Sequence, residues 1–203
     1  MAPIIESRRP LHGSCHCGRV KFVLFASMPP AIALGPDVDV RSRVRFYKCN
    51  CSTCHKMGFF HMRLPDPLND FFVLAPTDPN EALGDYTCFD RDLHWLFCKN
   101  CGVRCFTVEG GLKTEPVDLR ALGVKTAPTD PVPVSRMDPE SWRSRSDKHG
   151  YLSVNALTID ADQPDGESLD LRKLIDNRWL QFLDCKNETG DHRYDYPHEG
   201  GTW

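Results

Sequence analysis

Cys49-Asn50-Cys51-Ser52-Thr53-Cys54 places three thiols within six residues, and two further pairs flank it, Cys15-His16-Cys17 upstream and Cys98-Lys99-Asn100-Cys101 downstream. Where thiols stay reduced, cysteines spaced this closely are metal ligands first. Tetrahedral zinc holds sulfur at about 2.3 Å, so its ligands must approach to roughly 3.8 Å of one another. A CxC on a strand turns both sulfurs to one face, and a CxxC on a tight turn achieves the same closeness. The two outer pairs, Cys15, Cys17, Cys98 and Cys101, therefore make one complete four-thiolate zinc site that substitutes for core. The trio Cys49, Cys51 and Cys54 exhausts its local ligands and leaves a fourth position for water, a substrate or a distant side chain. Three protein ligands with one exchangeable position characterise catalytic zinc. A site closed by His55, His61 or Cys88 is the structural alternative. The expectation is two zinc ions per chain, one structural and one catalytic.

The rest of the composition is that of a globular chain. It has 203 residues, 40% hydrophobic and 26% charged, with a net charge of -3. That length fits one domain, expected over residues 11–186, followed by an extended polar tail over 187–203. The charge is too small to call for a nucleic-acid partner, and Arg143 and Arg145 read as a solvated pair. Residues 1–11 have no apolar signal segment, and the apolar stretch Val20 to Leu34 is interrupted by Lys21, Pro29 and Pro30. A soluble cytoplasmic protein with no membrane partner is expected. Nothing in the sequence specifies an oligomeric state.

Short β segments surround the cysteines. Strands are expected at 18–25, at 44–49 delivering the trio, at 58–64, 71–74 and 151–159, and as a hairpin of 94–98 with 103–108 whose tip is the CxxC. Gly102 supplies the positive φ that such a tip needs. The stretch 109–150, with prolines at 116, 128, 131, 133 and 139, reads as a long loop insert holding one helical turn near 117–122. A helix is expected over 168–176 with Ser168 as its cap. The fold class is mainly β: zinc-bearing antiparallel β-sheets packed together, with one or two short helices and the long loop insert.

Side chains near the trio are candidates for chemistry. His55, Lys56 and Arg63 are the expected groups for proton transfer and anion binding, with a solvated strand edge as the plainer reading of Lys56 and Arg63. Cys88, Cys105 and Cys185 read as buried small hydrophobes. His16, between two ligands, should point away from them, and His94 reads as a core histidine. His149, His192 and His198 fall in polar loops. Trp142 is either a lid over the site or, more plainly, an aromatic anchor for the insert.

Taken together, Gly13-Ser14-Cys15-His16-Cys17-Gly18-Arg19-Val20, Cys49-Asn50-Cys51-Ser52-Thr53-Cys54-His55-Lys56-Met57-Gly58 and Phe97-Cys98-Lys99-Asn100-Cys101-Gly102 resemble the glutathione-dependent formaldehyde-activating enzyme family, which includes the domain of centromere protein V. The resemblance covers roughly residues 11–106. It implies packed antiparallel sheets, a structural zinc on Cys15, Cys17, Cys98 and Cys101, and a catalytic zinc on Cys49, Cys51 and Cys54. It also implies a carbon–sulfur lyase activity like that of S-(hydroxymethyl)glutathione synthase, with glutathione or an aldehyde as the small-molecule partner. Two alternatives are a biosynthetic lyase for a larger organic substrate and a non-catalytic zinc interaction module. Three thiolates blunt the Lewis acidity of zinc, which favours thiol chemistry over water activation.

Overall fold

Five consecutive residues of β2 (Lys21–Met28), from Phe22 to Ala26, are buried. An apolar run buried on both faces needs cover on both sides, and that requirement organises the molecule. The computed structural model describes residues 7–30, 42–143, 150–165 and 168–203. Within them β2 pairs with β1 (Ser7–Ser14) and β5 (Phe71–Ala75), and β10 (Val132–Met137) and β9 (Leu112–Val117) complete a five-stranded sheet in the order β1-β2-β5-β10-β9. The second sheet has eight strands. They are β3 (Arg45–Cys49), β4 (His61–Arg63), β6 (Gly84–Thr87), β7 (His94–Phe97), β8 (Arg104–Glu109), β11 (Tyr151–Asn155), β12 (Leu180–Leu183) and β13 (His192–Arg193). Their order is β13-β12-β3-β4-β11-β8-β7-β6.

The main core lies between the sheets. Phe22, Leu24, Phe71 and Val73 meet Phe46, Met62, Phe106 and Val154 there. Phe106 packs edge-on against Phe71 and Phe22, with ring centroids 5.2 and 6.4 Å away. Burying each such side chain contributes about 1.5–3 kcal/mol. The other face of β2 carries Val23 and Phe25, which join Phe72 and Val134 in a second core capped by Leu119, Val124 and Ala127. The outer face of the eight-stranded sheet is different. There the cross-strand pairs Tyr47–His61 and Arg45–Arg63 lie on β3 and β4, with Ser153 and Thr107 paired on β11 and β8.

The mainly β expectation holds, but where one or two short helices were expected, five join the strands among the described residues: α1 (Ser52–Met57), α2 (Pro67–Asp70), α3 (Pro79–Ala82), α4 (Pro139–Arg143) and α5 (Arg172–Asp176). Four local expectations are corrected. The stretch 109–150 is no bare loop. It holds β9, β10 and α4, and its turn over 118–131 carries the apolar cap of the second core. Its prolines misled because Pro116 faces Pro133 across a pair whose outer member, β9, is a sheet edge, where a missing N–H is tolerated. The helix near 168–176 is only α5, and Leu171, not Ser168, precedes it. The strand from Tyr151 ends at Asn155, whose side chain caps a 3-10 turn over Ala156–Thr158. β12 runs parallel to β3, register Leu183 to Cys49, so the sheet is mixed.

The tail is not simply extended. It adds β13 to the sheet and then returns to the end of β3, where Lys48 Nζ donates to the Trp203 carbonyl and the Trp203 ring packs edge-on against Phe182. Trp142 is an anchor. It is half-buried against the main core, and its ring lies against Gly150, where an added Cβ would meet it at 2.4 Å. Arg145, His149 and the Arg143 side chain fall outside the described residues. Among the described residues no helix is long and apolar enough to cross a membrane.

Candidate metal centres

Two short turns build the first centre. After β1 the chain turns back through Cys15, whose N–H donates to the Val20 carbonyl at 3.0 Å while Gly18 N–H donates to the Cys15 carbonyl at 2.9 Å. Between β7 and β8 the same pattern recurs: Cys98 N–H to Val103 O at 3.0 Å and Gly102 N–H to Cys98 O at 2.8 Å. Gly18 and Gly102 have φ of 72° and 74°. That left-handed conformation is open to glycine without strain. The first pair thus sits on a turn and not on a strand, as its CxC spacing had suggested.

The turns face each other. Cys15 Sγ is 3.6 Å from Cys17 Sγ, and Cys17 Sγ is 3.6 Å from Cys98 Sγ. With Cys101, the four sulfurs lie within 4.8 Å of one another. These separations are far longer than the roughly 2.05 Å of a disulfide and match the edge of a sulfur tetrahedron around a zinc-sized ion. A backbone N–H from Arg19 lowers the Cys17 thiol to about 6, while burial raises Cys15 to about 11. His16 is exposed, as expected.

The second centre is built on the end of β3. Cys49, Cys51 and Cys54 also have their sulfurs within 4.8 Å of one another. The backbone folds around them: Cys51 N–H donates to Cys49 Sγ at 3.3 Å, and Cys54 N–H to Cys51 Sγ at 3.4 Å, so Cys51 caps α1 through its sulfur. Hydrogen bonds from Cys49 and then Cys54 hold the Cys51 thiol well below its ordinary range, and contact with Cys185 and Cys51 pushes Cys49 up. An apolar collar of Phe59, Trp95, Met57 and Leu93 packs around it.

Of the three side chains that would close the trio, His61 is the one hydrogen-bonded to a trio sulfur among the described residues. Its Nε2 lies 3.1 Å from Cys54 Sγ and its Nδ1 2.9 Å from Ser153 Oγ. Burial pushes its pKa down to about 3, and Arg63 adds to that, so the ring is neutral near pH 7. It does not join the mutual 4.8 Å group of metal-ligating atoms, which among the described residues holds the three sulfurs only. His55 is exposed on α1, and Cys88 bonds Thr53 Oγ1 at 3.4 Å.

The other candidates fall differently. Lys56 is exposed beside His55 in the last turn of α1. Arg63 does not lie at a sheet edge: β4 is an inner strand, and the guanidinium sits 3.8 Å above the Tyr151 ring. Cys105 is buried as expected, but Cys88 is only half-buried and Cys185 is exposed. Cys185 follows β12, and contact between its thiol and Cys49 places it beside the trio. Buried Asn50, the residue between Cys49 and Cys51, holds that loop: its Oδ1 accepts from the N–H groups of Cys185 and Lys186 at 2.8 and 2.9 Å, and its Nδ2 donates to Asp184 at 2.7 Å and to the Glu199 carbonyl at 3.1 Å. His94 is not a core histidine. It is part-exposed and pairs with Asp85 at 2.7 Å. His198 bonds the Phe182 carbonyl through Nε2 at 3.0 Å, and His192 is exposed on β13.

Residues that the sequence reading passed over complete the surroundings. Tyr47 stacks on His61 with centroids 4.2 Å apart and 5° between planes, and its hydroxyl lies 2.5 Å from that of Tyr151. Arg45 lies 4.9 Å above the Tyr47 ring. The signal was available. Arg45, Tyr47 and Cys49 alternate along one strand, as do His61 and Arg63, so each set shares a face.

No family model matches the chain. A solved Rhodobacter sphaeroides protein from a structural genomics effort is 19% identical, with 78% of this chain and 97% of that chain covered and a TM-score of 0.40.

Proposed function

We propose that the chain is a two-zinc enzyme of carbon–sulfur bond chemistry, as the resemblance to glutathione-dependent formaldehyde-activating enzymes implies. Zinc is favoured over harder cations because both donor sets are all thiolate. The observation that carries the reading is the contrast between a group of four mutually close sulfurs and a group of three that His61 touches through one sulfur without joining. Four thiolates leave no position for a substrate, and three leave one.

Zinc on Cys49, Cys51 and Cys54 would supply a position where a substrate thiol is held as its thiolate at neutral pH. A thiol so held would be placed to form a C–S bond to an aldehyde carbon, with the proton it gives up to water balanced by the one the carbonyl oxygen takes from water, and the reverse would release aldehyde and thiol. In this reading His61 holds the Cys54 sulfur in place, with its own ring fixed by Ser153, which is the part that partners of metal ligands play elsewhere. Phe59 and Trp95 keep bulk water from the sulfurs. His55 and Lys56 face solvent, where they suit proton exchange with water. Glutathione, or another thiol, and an aldehyde are the proposed substrates, and a reducing compartment such as the cytoplasm fits ten free cysteines.

The test is the rate of hemithioacetal exchange between formaldehyde and glutathione, followed by NMR on zinc-loaded protein. Acceleration lost in Cys54→Ser is the expected result. A rate equal to the uncatalysed background would sink the reading and leave a zinc interaction module as its successor.

A further inference from the structure

Arg45 and Arg63 are directly opposite each other on neighbouring antiparallel strands. Like charges in that position destabilise a sheet. Here each guanidinium also lies over a tyrosine, Arg45 over Tyr47 and Arg63 over Tyr151 at 4.9 and 3.8 Å. Those rings offset part of the cost but do not neutralise two cations. Both Nε atoms are buried and lack a hydrogen-bond partner, and among the described residues neither arginine has a carboxylate within ion-pair distance. Glu109, opposite Tyr151 on β8, has an interaction of its own. Buried donors on two adjacent cations are a site short of its anion.

The position of the pair gives the site its use. Arg63 is two residues beyond His61 on the same face of β4, about 7 Å along the strand, and His61 touches Cys54. Arg45, Arg63 and Tyr151 are part-exposed, so a solute can reach them. We propose that Arg45 and Arg63 form a carboxylate-binding subsite, and that the substrate of the trio is a short anionic molecule whose carboxylate docks there while its thiol reaches the sulfurs. The forked guanidinium donors suit a carboxylate better than a spherical anion. Between the two ends along the strands is the Tyr47–His61 pair, and the Tyr47 hydroxyl is hydrogen-bonded to that of Tyr151. This inference rests on the proposed open metal position and adds the class of substrate to it.

The experiment compares 3-mercaptopropionate with 3-mercaptopropionamide, which differ in charge and little in size, on cobalt-loaded full-length protein. Thiolate-to-cobalt charge-transfer absorption reports binding. The carboxylate should bind about 10- to 100-fold more tightly than the amide, as charged hydrogen bonds of this kind allow. Arg63→Met and Arg45→Met should each bring the ratio to within about threefold of unity, while the ligand-free cobalt spectrum stays as in the parent and the thermal melt is no lower. Arg63→Lys, which keeps the charge but not the fork, should give an intermediate ratio and serves if Arg63→Met does not fold. A ratio near one in the parent protein overturns the subsite. So does a ratio that survives in every variant, or variants that weaken cobalt binding alone, since the arginines would then only balance the charge of the thiolates. If neither thiol alters the cobalt spectrum, the open-metal reading fails. Calorimetry with propionate against propionamide then decides the subsite by itself: heat from propionate that vanishes in Arg45→Met supports it, and no heat overturns it.

Discussion

The two cysteine clusters differ in what surrounds them more than in their sulfurs. The four-sulfur cluster ties two turns that leave β1 and β7, one from each sheet, and Cys15 Sγ accepts from Val20 N–H within its own turn. The three-sulfur cluster sits at the end of one strand and contacts a buried histidine, an apolar collar and a loop carrying a fourth cysteine. The first arrangement joins distant chain segments, so a metal held there would contribute to folding. The second gathers thiols that α1 and β3 already hold close, so a metal held there would contribute little to the fold.

The comparison breaks most sharply with Cys98→Ser. If a metal joins the two sheets there, removing one of its four ligands should cost more than about 4 kcal/mol, seen as a collapsed thermal melt and loss of one metal per chain. Cys54→Ser should also lose one metal and all turnover, yet cost only about 1–2 kcal/mol, the range for a conservative change at a buried site. Equal destabilisation by the two would erase the distinction drawn here.

His61→Ala sharpens it. The variant leaves Ser153 Oγ without its ring partner and removes the contact to Cys54. The trio should lose about 10- to 100-fold in metal affinity, the usual effect of removing a ligand's partner, with the four-sulfur site unchanged in a chelator competition. Asn50→Ala should free the Cys185 loop and the tail at about 1–3 kcal/mol, visible as faster hydrogen exchange over 184–203 only.

The smallest effect is one of pH. Hydrogen bonds from Asn187 and then Asn50 hold the Asp184 carboxyl at about 2. A folded pKa below the unfolded value of about 3.9 stabilises above that value and is lost as pH falls toward the folded one. Protection of the 184–190 loop should therefore weaken between about pH 4 and pH 2, and Asp184→Asn should flatten that dependence.

Much of this was legible in the chain because ligation motifs are local. The members of both cysteine clusters stand out by spacings of two and three residues, and the hairpin of β7 with β8 follows from its sequence and Gly102. What escaped is non-local or disguised. Nothing near Cys185 marks its approach to Cys49, which depends on β12 lying parallel to β3, a pairing between segments some 130 residues apart. Pro116 and Pro133 hid a hairpin because their missing N–H groups fall opposite one another. His94 read as core from its aromatic neighbours, but it opens β7 part-exposed beside Asp85, while Trp95 packs on the other face against Phe59 and His61. Arg45 and Tyr47 share a face with Cys49 by simple alternation, and a reading centred on cysteines passed over them.

The most direct test of the central claim is cobalt substitution with X-ray absorption at both sites, before and after a thiol is added. The account predicts two metals per chain, one with four sulfur ligands that ignores the thiol and one with three protein sulfurs that gains a fourth from it. Two sites that each show four protein ligands, unchanged by thiol, would contradict it.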